Sequence, residues 1–352
     1  MHISLHIYRS MKKLGLFIIP ILIYAMVETD WEKMLLPGLF YVVEGKGETW
    51  SEKEVEAFLP ISHSKIEDEL TQEMILALQA KDEERMSEDL IEVTPVARTE
   101  LSMEKLQDFK YWLSTYDTVD STTSIGPEQL NASEMLSKDM TIQNNQTGPK
   151  VLIFHTHSQE AFVDSVPGDS NTSIVGMGKY LAERLNGIGI ETLHHDGVYD
   201  LINGKLDRSK AYELSEIGVK EILNQYPSIE VVIDLHRDGV NENTHLVANV
   251  GGKQVAKIMY FNGLSRTKAN GNISYLYNPY IQDNLAFSFQ MQLATEEMYP
   301  GLARRIYLKG YRYSLHMMPK SLLIEAGAQT NTVEEMKNSM DLLAEILKRV
   351  LI

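Results

Sequence analysis

Beyond residue 150 the chain alternates short apolar runs with segments of helical spacing, and no other feature limits its fold as much. Residues 151–154 (VLIF), 231–235 (VVIDL) and 321–324 (SLLI) read as strands buried on both faces, because runs this apolar leave no side for water. Leu193 begins or lies in a further strand. Helical spacing runs over 174–185, 210–225, 284–298 and 332–351; Asn186-Gly187 ends the first of these and Pro227 stops the second. Residues 245–250 and 255–261, joined at Gly251-Gly252, read as a hairpin. Strands alternating with helices imply an α/β domain with a mainly parallel central sheet and helices on both faces. In such sheets chemistry gathers at the carboxyl ends of the strands.

Three polar clusters stand where that rule puts them. His155-Thr156-His157-Ser158-Gln159-Glu160 follows the first run, His236-Arg237-Asp238 follows the second, and Glu325 follows the third. The chain contains no cysteine, so disulfides, thiolate metal sites and cysteine nucleophiles are excluded, and any metal must sit on His, Asp or Glu. A catalytic zinc needs three protein ligands and one open position, and two histidines with one carboxylate suit it. His157, Glu160 and His236 can supply that set. The metal would then lower the pKa of a water from about 15.7 to about 7. Glu325 remains to take that water's proton and pass it to a leaving amine. His155 competes with His157, since residues two apart on a strand point the same way. Arg237 and Asp238 are expected to orient substrate or neighbouring groups, and Asn331 to bond substrate or cap the closing helix. His194, His195, His245 and His316 read as structural.

The rest of the chain differs in character. The net charge of −16 repels nucleic acid and anionic membrane surfaces. Arg9, Lys12 and Lys13 precede an apolar run at 14–27, and acidic residues follow from Glu28. Residues 1–28 therefore read as a signal or membrane anchor with the remainder extracytoplasmic. Residues 29–148 read as a divergent spacer with short helices; within 51–100 there are 14 Asp or Glu against 5 Lys or Arg. The Ser-, Thr- and Asn-rich stretch 131–148 reads as a flexible linker closed by Pro149, and residues 149–352 as the catalytic domain.

Four stretches, 151–162 (VLIFHTHSQEAF), 231–239 (VVIDLHRDG), 278–289 (NPYIQDNLAFSF) and 322–332 (LLIEAGAQTNT), together resemble the stage II sporulation protein P family of endospore-forming Firmicutes. The resemblance implies an amidase-3-like fold and a Zn2+-dependent N-acetylmuramoyl-L-alanine amidase. On its pattern the first histidine falls on His157, the later one on His236 and the catalytic glutamate on Glu325. Ordinary amidases carry the glutamate ligand further along, where this chain has Asn171 and only Asp169 as an acid, so Glu160 is the nearest substitute. The resemblance further implies cleavage of peptide crosslinks in peptidoglycan during engulfment, at the membrane facing the intermembrane space. The partners it implies are a stage II sporulation protein D-like transglycosylase and a stage II sporulation protein M-like membrane protein. The rival readings are a wall-binding scaffold without catalysis and a zinc peptidase of other substrate.

Overall fold

The computed structural model of the protein describes residues 103–352; the expected anchor and the acidic stretch at 51–100 lie outside the described residues. Seven strands form one sheet: β1 (Asp117–Val119), β2 (Val151–Phe154), β3 (Thr192–His194), β4 (Val231–Asp238), β5 (Ile258–Gly263), β6 (Ile306–Lys309) and β7 (Lys320–Ala328). Their order is β1-β6-β5-β7-β4-β2-β3. Every neighbouring pair is parallel except β5 with β7, so two parallel blocks meet at one antiparallel seam. The described helices are α1 (Met103–Leu106), α2 (Phe109–Thr115), α3 (Ala132–Ser137), α4 (Ile174–Gly187), α5 (Ala211–Gln225), α6 (Ile281–Met298) and α7 (Val333–Leu351).

Strand alternation sorts the core into layers. Val151, Ile153, Ile233 and Ile324 face a core shared with α4, α6 and α7. Leu152, Phe154 and Val232 face the other way, onto Val219 and Ile222 of α5. All four side chains of β2 are fully buried, as their apolar run requires. Helix α7 begins with a capping box: Thr332 Oγ1 accepts from Glu335 N (3.2 Å) while Glu335 Oε2 accepts from Thr332 N (3.0 Å).

Three expectations need correction. The hairpin is shorter than its spacing suggested: Val247–Val250 pairs with Lys253–Ala256 across Gly251 and Gly252. Both glycines have positive φ (59° and 83°), which a tight two-residue turn demands and side-chain-bearing residues resist. The run then leaves the hairpin, and residues 258–263 become β5 of the main sheet. Strands β1 and β6 escaped the pattern altogether. β1 is only three residues long and opens with an acid, and β6 ends in Lys309, which is buried although its residue type suggests surface.

The expected linker is the third correction, because residues 103–148 are built into the same fold as the rest. Leu106, Trp112, Leu130 and Met135 belong to the main core, and β1 extends the sheet edge. The Trp112 ring stacks on Phe289 at 4.1 Å. The polar residues of 131–148 work as caps and turns rather than as a solvated tether: Asn131 caps α3 through Glu134 N (3.2 Å), Asp139 accepts from Thr141 N (2.9 Å), and Asn144 N donates to Glu230. Composition marks such a stretch as non-regular, but cannot distinguish ordered turns from a flexible chain.

Candidate active site

The parallel neighbours β2, β4 and β7 end on one rim of the sheet. In β4 the alternation that turns Val232 toward α5 turns Asp234 and His236 the same way. The ladder pairs Glu325 of β7 with His236, so these two side chains stand next to each other on that face. The loop after β2 brings the remaining groups. His157 Nδ1 lies 3.6 Å from Glu160 Oε1, and His236 Nδ1 lies 3.8 Å from Glu160 Oε2. The two imidazole rings are 5.0 Å apart and nearly perpendicular (89°). One ligand atom from each of the three residues falls within 4.8 Å of the others.

A ring of hydrogen bonds holds this cluster. Buried Asp234 accepts from Thr156 N (2.9 Å) and Thr156 Oγ1 (2.6 Å), and its Oδ1 lies 2.7 Å from His236 Nε2. That approach is an ion pair rather than a hydrogen bond, and the other ring nitrogen, Nδ1, faces Glu160. Asp200 accepts from Ser158 Oγ (2.8 Å) and Gln159 N (3.0 Å), which pins the loop one residue before Glu160. Arg237 N donates to Glu160 Oε2 (2.9 Å). The edge of Tyr212, at the start of α5, meets His157 with ring centroids 5.6 Å apart.

Burial opposes charge throughout the cluster, yet the charges prevail. Burial pushes the Glu160 carboxyl up, but bonds with His157 and His236 and the charges of His236 and Arg237 hold it well below the carboxylate range. Burial pushes His236 down, but the Asp234 and Glu160 carboxylates outweigh it and hold the imidazole well above its ordinary value. Burial raises Asp234, and His236 and Thr156 bring it below its usual value. Two buried carboxylates, Asp234 and Glu160, thus face one imidazole. A divalent cation answers the same demand with more charge, and metal ligands must be deprotonated to bind it. Ligand atoms of a tetrahedral zinc stand roughly 3.4 Å apart, given bonds of about 2.0–2.1 Å. The observed 3.6 and 3.8 Å run to the two oxygens of Glu160, and one ligand atom from each residue lies within 4.8 Å of the others, so two imidazoles and a carboxylate that contract on a common point fit a metal.

His155 does not join them. Its strand ends at Phe154, so the period of two no longer relates it to His157. It turns to the opposite face, where Nδ1 bonds Leu235 O (2.7 Å) and Nε2 meets His194 Nε2 (3.0 Å). Burial, with His194 adding to it, pushes His155 down to about 3. Arg237 braces the loop, its Nε donating to Ala161 O (2.9 Å). Asp238 is buried and paired with Arg304 Nη1 (2.6 Å). Asn331 is fully buried and accepts from Ala328 N (2.9 Å); Thr332 caps α7 in its place. His245 and His316 pair with Glu335 (2.9 Å) and Glu216 (3.1 Å). Asp234 and Asp200 were missed, although an acid inside an apolar strand two residues before a histidine was a readable signal for the first. Asp200 and Arg208 carry no such signal.

Fold and site together define an α/β protein with a buried His2–carboxylate cluster at a strand-end rim. The sequence model of the stage II sporulation protein P (SpoIIP) family matches residues 46–348, and the chain belongs to that family. Stage II sporulation protein P of Bacillus subtilis (strain 168) is 23% identical over 238 residues, 63% of this chain. The match spans 56% of that protein's length. Among solved structures, the CwlD amidase from Clostridioides difficile in complex with the GerS lipoprotein is 14% identical, covering 57% of this chain and 96% of that one at a TM-score of 0.36. The amidase AmiC2 of Nostoc punctiforme is also 14% identical, covering 58% and 97% at 0.34. Structural overlaps this partial carry no assignment.

Proposed function

We propose that the chain is a zinc-dependent peptidoglycan hydrolase that cleaves the amide between N-acetylmuramic acid and L-alanine. The observation that carries this reading is the convergence of His157, Glu160 and His236 with Glu325 on the next strand. Family membership supplies the sporulation context. His157, Glu160 and His236 would hold the ion, leaving one position open. When bound, zinc supplies Lewis-acid polarisation of the amide carbonyl and makes a neighbouring water acidic. Asp234 keeps the His236 ring in its ligating orientation. Glu325 takes the proton from the attacking water and delivers it to the leaving nitrogen of alanine. Tyr212 and Tyr313, whose rings meet at 5.4 Å, form an apolar wall beside His157.

The finer parts of the reading follow from the family resemblance: cleavage of peptide crosslinks, work during engulfment, membrane anchoring through residues 1–28, and the two partner proteins. The reading is tested by metal analysis. The purified protein is expected to hold about one zinc per chain, and a chelator is expected to remove zinc and peptidoglycan hydrolysis together. Hydrolysis that survives complete zinc removal contradicts it.

A further inference from the structure

Arg208 reaches the cluster from the segment preceding α5. Its Nη2 lies 3.4 Å from Glu160 Oε1, and its side chain is 26% exposed. Its Nε is buried with no hydrogen-bond partner among the described residues. The segment is anchored, since Asp207 N donates to Asp200 O (2.9 Å) and the Asp200 carboxylate grips the Ser158–Gln159 backbone. The other arginines near the rim are committed elsewhere: Arg237 to the Ala161 and Asp238 carbonyls, Arg304 to the Asp238 carboxylate.

We propose that Arg208 is a specificity-determining residue that binds a substrate carboxylate close to the scissile amide; the inference rests on the amidase reading above. A divalent cation held by Glu160 would set a second positive charge beside the guanidinium and weaken the carboxylate contact it makes at 3.4 Å. A largely buried guanidinium without an acceptor or a counter-charge is costly. A substrate carboxylate supplies the missing counter-charge, because its two oxygens match the planar fork of the terminal nitrogens, the part of the side chain that burial leaves reachable. The chain carries a net charge of −16, so its long-range field does not draw in an anionic substrate and recognition needs a local cation. Arg208 stands beside a metal ligand, so the carboxylate it meets lies within one or two residues of the scissile bond, at roughly 3.3–3.6 Å per residue. The substrate class is an N-acyl peptide whose first or second residue bears a free carboxylate rather than a carboxamide.

The test uses the full chain and two probes, N-acetylmuramoyl-L-alanyl-D-glutamate with its γ-carboxyl blocked as the methylamide, and the same compound with its α-carboxylate replaced by a carboxamide, so that the pair differ in their one free carboxylate. KM for both is measured on the wild type, Arg208→Gln and Arg208→Lys, with zinc content. Binding of both probes is measured by calorimetry on Glu325→Gln with and without Arg208→Gln. Wild type is expected to favour the carboxylate probe. Arg208→Gln is expected to narrow that preference roughly 10- to 100-fold, the worth of one charge-assisted pair, with zinc retained. Arg208→Lys is expected to fall between, since it keeps charge and loses the fork. An unchanged preference in both variants overturns the proposal, whatever the absolute rates. So does zinc loss with an unchanged preference, which makes Arg208 a brace for Glu160. If wild type cleaves neither probe the amidase reading fails, and the calorimetric ratio still decides whether Arg208 selects the carboxylate.

Discussion

At the scale of single residues, the proposed function gives two carboxylates different work, one holding a metal and one moving a proton. Glu160 sits between two histidines, whereas Glu325 stands on the neighbouring strand beside His236. Glu325→Gln keeps the shape of the side chain and removes its basicity. It is expected to retain zinc and lose turnover by roughly 10²–10⁴-fold. Glu160→Ala is expected to lose both, and metal analysis beside rate measurements distinguishes the two; an apo Glu325→Gln with a loaded Glu160→Ala reverses the roles. Asp234→Asn tests the orienting carboxylate 2.7 Å from His236 Nε2. A zinc titration should show affinity weaker by about 10–100-fold. Unchanged affinity would mean that the β4 backbone alone fixes the ring.

At the scale of elements, the strands that bear the site were legible because an apolar run followed at once by a polar cluster is a local signal. β2, β4 and β7 all have that form, and so the sequence alone places His157, His236 and Glu325 on one rim. What was hidden depends on contacts distant in sequence. His155 and His157 differ only in which side of a turning chain they leave, and Gly178 of α4 makes room for the first: a Cβ there would lie 2.4 Å from His155 Nε2. The N-terminal elements were hidden for a similar reason, since Trp112 finds its partner Phe289 far along the chain. Trp112→Ala is expected to cost about 3–5 kcal/mol of stability, read by urea unfolding, because a fully buried indole is removed from a packed core. A change under about 1 kcal/mol would show that residues 103–148 contribute little to the fold.

At the scale of the whole molecule, one buried acid ties folding to pH. Asp117 is 3% exposed, and burial pushes its carboxyl up to about 7 against smaller opposing effects of Trp112 and Arg305. Below about pH 4 the group is protonated in both folded and unfolded chains and stability does not depend on it. As pH rises toward 7 the unfolded chain ionises first, so stability falls, and above 7 the full penalty remains, on the order of a few kcal/mol. Asp117→Asn is therefore expected to raise the melting temperature at pH 8 and to leave it nearly unchanged at pH 4. Equal effects at both values would mean that the carboxyl titrates normally. The central claim concerns the bond that is cut, and mass spectrometry of purified peptidoglycan digested by the full chain tests it most directly. A muramoyl amidase releases stem peptides with a free L-alanine amino terminus and leaves intact muramic acid carboxyl groups on the glycan, and it does so only with zinc present. Products cut solely within the peptide or the glycan, or no products from the zinc-loaded chain, would contradict it.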